Sequence, residues 1–198
     1  MMCISNVGVV ALCNAALDHV GENETVLTSL DEDRLAAKLC RRRYPAVRDA
    51  LLQLHPWNFA QKRVALSADE TPPAYGFAYA YSLPSDCLQI EMLAAEEPWQ
   101  AGHAWQVEGG KILTDLTPPL SLRYIARIED PSCYPPLFRE LLALRLAAEL
   151  AQPLAQSSRL GQDLEQRFAN MMALARNRDA QESQAPDHAF SPWLAARF

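Results

Sequence analysis

Apolar residues along this chain recur first at helical spacing, then with the two-residue alternation of strands, then at helical spacing again. The first stretch, residues 6–20, places Val7, Ala11, Leu12 and Ala15 on one side, with Ile4 just ahead of it. Ser5 or Asn6 is suited to cap it, and Gly21 to close it in a left-handed conformation. Gly8 weakens the pattern slightly. A second helix is expected after the acidic turn Asp31-Glu32-Asp33, whose carboxylates suit the positive end of a helix dipole. Leu35, Leu39, Cys40, Tyr44, Val47, Leu51 and Leu54 follow at spacings of three and four. Pro45 interrupts them, but the stripe continues in phase, which favours a kink over a break. His55-Pro56 ends the pattern.

Between residues 61 and 128 the period shortens. Strands are expected at 62–66, 79–83, 88–93, 105–108, 111–114 and 120–128, separated by Pro72-Pro73, Pro84-Ser85-Asp86 and Pro118-Pro119. Glu108-Gly109-Gly110-Lys111 is a hairpin signal, because a tight hairpin turn needs positive φ at both central residues. Leu120, Leu122, Tyr124 and Ala126 alternate with Ser121, Arg123 and Arg127, the signature of a half-buried strand. Tyr75, Phe77, Tyr79 and Tyr81 also alternate, and read as the packed face of a strand rather than as a ligand-stacking surface. Trp57 and Phe59 are expected to lock the end of the second helix onto the strands.

Helical spacing returns at 137–152, opened by Pro135-Pro136 and stopped or bent by Pro153, with Phe138, Leu141, Leu142 and Leu146 inward and Arg145 and Glu149 to one side. Ser157 or Ser158 caps a fourth helix with the stripe Leu160, Leu164, Phe168, Met171 and Ala175, fading at 178–181. A polar, breaker-rich stretch follows and ends in Phe190, Pro192, Trp193, Leu194 and Phe198. Exposed aromatics are costly unless covered, so this arm is a candidate partner-binding segment. The expected architecture is α+β: a four-helix bundle (4–60 and 129–182), an inserted small antiparallel β-domain (61–128) and an extended C-terminal arm (183–198). No internal repeat is apparent.

Composition narrows the function classes. A hydrophobic fraction of 49% and a charged fraction of 21% support a packed core. No apolar run reaches the roughly 18 residues that span a bilayer, and the first residues lack a basic region ahead of an apolar one, so neither membrane nor signal sequence is expected. Cys3, Cys13, Cys40, Cys87 and Cys133 are scattered and odd in number, which points to reduced thiols in a cytosolic product. The net charge of −6 argues against gripping a phosphate backbone. The basic run Arg41-Arg42-Arg43 therefore reads as a solvated face or a protein contact, with Arg41 and Arg42 as candidate partner-binding residues.

Sites of chemistry are not legible. His19, His55, His103 and His188 are remote in sequence, and no metal-ligand spacing occurs, so no metal or cofactor is expected. There is no nucleophile elbow and no phosphate-cradling glycine loop. Asp31/Asp33 and Glu96/Glu97 are the visible carboxylate pairs, read as a helix-start turn and a solvated turn.

A family resemblance emerges from the order of segments. Asn14-Ala15-Ala16-Leu17 comes first. Thr28-Ser29-Leu30-Asp31-Glu32-Asp33 then leads into Arg41-Arg42-Arg43-Tyr44-Pro45-Ala46-Val47-Arg48-Asp49-Ala50-Leu51-Leu52. The clearest segment is His55-Pro56-Trp57-Asn58-Phe59-Ala60 with Lys62-Arg63, a packing motif and not a chemical one. Tyr81-Ser82-Leu83-Pro84-Ser85-Asp86-Cys87-Leu88, Tyr124-Ile125-Ala126-Arg127 and Leu141-Leu142-Ala143-Leu144-Arg145-Leu146-Ala147-Ala148-Glu149-Leu150-Ala151 complete the series. From about residue 4 to 182 the chain resembles the tail tubular protein A family, the head-to-tail adaptors of short-tailed bacteriophages.

The resemblance implies a structural protein and not an enzyme. Such adaptors form a ring, typically a dodecamer in the virion and monomeric alone. The ring sits beneath the portal protein, prolongs the DNA channel without binding DNA specifically, and supports the tail nozzle protein. The location implied is the head-tail junction of the virion, reached from the host cytoplasm during assembly. Two rival readings are a peptidoglycan-degrading tail enzyme, for which Glu96 and Glu97 are the candidate acids, and an interaction module unrelated to phage.

Overall fold

A computed structural model of the chain describes residues 8–21, 26–94 and 104–182. The fold is α+β, with four helices and two antiparallel three-stranded sheets. The C-terminal arm, with Phe190, Pro192, Trp193, Leu194 and Phe198, lies outside the described residues, as do Glu96, Glu97, His103 and His188.

Helix α1 covers Val9–Val20 and buries Leu12, Cys13, Ala16, Leu17 and Val20. It starts later than the sequence pattern indicates. Gly8 is its N-cap rather than an interior residue, and no side chain caps it. Gly21 closes it at φ 92°, giving its N–H to the carbonyls of Leu17 and Asp18 at 3.1 and 3.2 Å. That left-handed conformation is costly for any residue with a Cβ. Asn14, midway along α1, holds the following segment by bonding both the N–H and the carbonyl of Leu27, each at 2.9 Å.

The acidic turn is used differently from the helix-dipole expectation. Glu32 Oε1 accepts from the Thr28 amide (2.7 Å), the Thr28 hydroxyl (2.8 Å) and the Ser29 amide (3.0 Å), so it closes its own turn. Those three donors hold its carboxyl down to about 2. Helix α2, Leu35–Gln53, begins after it and has no acid in its first turn. Pro45 lies within α2 on an exposed face, and the helix runs through it. Tyr44, Val47, Leu51 and Leu52 are buried on the other side, so packing outweighs the one backbone bond that proline removes.

Helix α3, Pro136–Ala155, runs past Pro153 rather than stopping there and ends at Gln156, which adopts φ 51°. It packs against α1, α2 and α4, and the buried residues Phe138, Leu141, Leu144, Leu146 and Leu150 surround its axis. Helix α4, Ser158–Gln181, is capped by Ser157, whose Oγ accepts from the Leu160 amide at 3.2 Å. It buries only Leu164, Met172 and Ala175. Met172, and not Met171, occupies the centre of the seam, with Leu160, Phe168 and Met171 at its margins.

The strands are β1 (Gln61–Leu66), β2 (Tyr79–Ser82), β3 (Cys87–Ala94), β4 (Trp105–Glu108), β5 (Lys111–Thr114) and β6 (Leu120–Ala126). They form two sheets, ordered β1-β6-β3 and β2-β5-β4, rather than one. Gly109 and Gly110, at φ 55° and 77°, make the β4–β5 hairpin turn. The aromatic alternation is only partly a strand face. Tyr81 is buried and donates to the Leu116 carbonyl at 2.6 Å, but Tyr75 is 89% exposed and precedes β2. Bulges in β3 shift its register against β6 near Leu88 and Glu91.

Two apolar cores result. One unites the helices with Trp57, Ala60 and Ile125, and the other joins Tyr81, Ile112, Leu116, Leu120, Leu122, Tyr124 and Ala126 between the sheets. Strand β6 contributes to both. Polar contacts reinforce the junction: Arg127 Nε reaches Asp49 Oδ2 at 2.9 Å, Arg48 Nε reaches Asp49 Oδ1 at 2.7 Å, and Gln53 bonds the Leu88 carbonyl at 2.8 Å.

Candidate docking site at the end of helix four

The motif His55-Pro56-Trp57-Asn58-Phe59 forms the turn that carries α2 into β1. Leu54 ends the helix by donating to the Ala50 and Leu51 carbonyls at 3.2 and 3.3 Å. Trp57 is 2% exposed, and its Nε1 donates to the Leu51 carbonyl at 3.0 Å. Its ring meets Phe138 of α3 edge-on, centroids 5.3 Å apart, and His55 at 4.7 Å. Phe59 packs on Phe138 at 4.9 Å and on Tyr134 at 6.0 Å. The two aromatics therefore lock the end of α2 to the start of α3, not to the strands as the sequence suggested. Adjacent aromatic partners favour this edge-on geometry.

Helix α4 is fastened to the same turn. Asp179 accepts from His55 Nε2 at 3.0 Å and from the Asn58 amide at 3.1 Å, and its own carbonyl accepts from Asn58 Nδ2 at 2.6 Å. Arg176 adds a bond to the Leu54 carbonyl at 2.9 Å. Beside this clamp lies a cavity of about 290 Å³ between Trp57, Pro135, Pro136, Phe138, Arg178 and Glu182. Its floor is aromatic and proline, and its rim carries charges of both signs. Glu182, the last described residue, lines it, so the chain leaves the described structure at the mouth of the cavity.

The basic run on α2 is not one face. Arg43 turns inward to Glu149 of α3 at 3.0 Å, and Arg41 pairs with Asp31 at 3.1 Å on the surface. Arg42 is exposed and has no ion-pair partner among the described residues. Consecutive helix positions point about 100° apart, so the three arginines diverge. Arg41 and Arg42 remain accessible for a partner, and Arg43 is structural.

Among the described residues the carboxylates whose acidity moves, Glu32, Asp69, Asp86 and Asp130, all move down. The Lys62 ammonium, 2.7 Å away, and the Tyr124 hydroxyl hold Asp86 ionised, and Lys111 does the same for Asp69. Among the described residues no three His, Cys, Asp or Glu side chains converge to hold a metal ion. None of the described helices is long and apolar enough to cross a membrane. Cys13, Cys40 and Cys87 are free thiols. A hydrogen bond to Cys40 and burial push the Cys13 thiol up.

The chain matches no known protein-family model and no curated protein. The site is thus described by its own geometry. Sequence reasoning singled out His55, Pro56, Trp57 and Phe59 but missed Asp179, the residue that ties them to α4. No local signal marks it, because it lies 121 positions from Asn58.

Proposed function

We propose that this chain is a structural head-to-tail adaptor: a subunit that forms a ring beneath a phage portal, extends the DNA channel and supports a tail nozzle. The observation that carries the reading is the insertion. All six strands fall between α2 and α3, yet the helices on either side share one core. That arrangement agrees with the ordered segments that resemble the tail tubular protein A family, and fold-level likeness of this kind supports an assembly role without specifying chemistry.

In this reading the four helices act as a bundle that meets the portal and neighbouring copies, and the strands form an inserted domain directed to the nozzle. The arm carrying Phe190, Trp193 and Phe198 seats on a portal or on the next subunit, with Arg41 and Arg42 as further contacts. Cyclic rings use heterologous interfaces, in which one surface complements a different one next door. A net charge of −6 suits a channel that lets DNA slide rather than stick. Strand β4 supports the nozzle-facing role of the strands: all four of its residues are exposed, including Trp105 at 46% and Val107 at 44%.

The experiment is negative-stain microscopy of the protein alone and mixed with its cognate portal rings. A second ring seen only in the mixture supports templated assembly. Failure to associate with portals overturns the reading.

A further inference from the structure

Arg63 of β1 and Arg123 of β6 are direct partners across the antiparallel ladder. Like charges placed directly opposite on neighbouring strands repel, so such a pair needs compensation. None is found among the described residues: neither arginine takes part in an ion pair with a described carboxylate, whereas all three lysines do, Lys38 with Asp33, Lys62 with Asp86 and Lys111 with Asp69. The Nε of Arg123 is shielded from solvent and has no hydrogen-bond partner among the described residues. Buried donors without partners are rare, and a bound water or ion is one of the usual reasons for them.

The two arginines line a hollow of about 410 Å³ on the sheet, together with Ala65, Met92 and Ser121. Strand parity places it. Ser121, Arg123 and Ile125 share one face of β6, with Arg63 and Ala65 opposite on β1 and Met92 opposite Arg123 on β3. At the Ile125 end that face is covered by the helices, and Ile125 is fully buried in their core. Towards Ser121 the cover stops. Arg63 is exposed and Met92 is 45% exposed, so the hollow is open to a partner.

We propose that Arg63 and Arg123 form an anion site for a carboxylate side chain on an acidic segment of a partner protein. Guanidinium groups bind carboxylates in forked, two-point geometry, and a carboxylate between the two would cancel their repulsion. Met92 and Ala65 supply apolar surface for the aliphatic stem of a glutamate. A nucleic acid fits less well, because backbone binding draws on a run of cations, and this hollow offers two on a chain of net charge −6. The site stands on its own geometry and needs no portal, so its failure and that of the adaptor reading are separately visible.

The test is titration of an acetylated hexaglutamate peptide into the full-length ¹⁵N-labelled protein, following the arginine Nε–H resonances. The expected result is a saturable shift of the Arg123 signal, with affinity at least ten-fold weaker in Arg63→Gln and unchanged in Arg42→Gln. Arg63 is exposed, so its replacement leaves the fold intact, and thermal melting of the free variant checks this; relief of the repulsion should leave its Tm equal or higher. No shift in the wild type, or the same affinity in Arg63→Gln, overturns the proposal. Displacement of the peptide by a short DNA duplex at lower anion concentration overturns the assignment to a carboxylate.

Discussion

His55 and Asp179 meet at 3.0 Å across 124 positions of sequence, and through them the last turn of α4 is held to the turn that ends α2. The same carboxylate accepts the Asn58 amide. Asp179→Ala leaves that part-buried amide and the imidazole without an acceptor, and should cost about 2 kcal/mol in urea denaturation. Asp179→Asn retains an acceptor and should cost about half as much. Equal losses would mean that the negative charge, rather than the acceptor, holds the clamp.

Trp57 should be the most sensitive single position of the motif. Trp57→Ala removes a side chain that is 2% exposed and should destabilise by about 3–5 kcal/mol. Trp57→Phe keeps the ring contact with Phe138 but loses the bond to the Leu51 carbonyl, and about 1–2 kcal/mol is expected. The two urea midpoints separate packing from hydrogen bonding.

Pro45 offers the opposite sign. Its side chain is exposed, and the ring denies α2 one interior hydrogen bond. Pro45→Ala should stabilise by about 2 kcal/mol, the gain in helix propensity less the entropy returned to the unfolded chain. A destabilised variant would show that the proline bend positions α2 against α3.

Glu32 sets an acid limb. Its carboxyl titrates at about 2 when folded against 4.5 as an ordinary glutamate, so the unfolded chain takes up the proton first. The stability it contributes is present above pH 4.5 and is lost as the pH falls towards 2. Glu32→Gln should flatten the fall in Tm across that window relative to the wild type. Parallel profiles would mean that the Thr28 and Ser29 donors do not favour the ionised form.

Local chemistry was the part of the fold most legible in the sequence. Strands β4 and β5 begin and end where the alternation and the Gly109-Gly110 turn put them, because a two-residue hairpin fixes both ends at once. The Ser157 cap and the Gly21 stop are equally local. The in-phase stripe through Pro45 was legible as one continuing helix, whereas α3 runs past Pro153 because tertiary packing overrode a local penalty. The partners of Trp57 and Phe59, the division of the strands into two sheets, and the facing of Arg63 with Arg123 all depend on long-range register. Neither composition nor period encodes that. The candidate site was half visible: the aromatic turn carries a motif, while Asp179 and the cavity beside it arise only when α4 folds back.

Strand β6 has one further consequence. Ile125 points into the helical core while Tyr124 and Ala126, on either side of it, point into the core between the sheets. Sliding the strand by a single residue would therefore thrust a tyrosine among the helices and withdraw an isoleucine from them in the same step. The alignment of this strand is proofread from both sides, so the helices and the strands are fixed to one another by the same residues that fix each internally. Helices and strands therefore cannot change their alignment independently along β6 without emptying one core or the other.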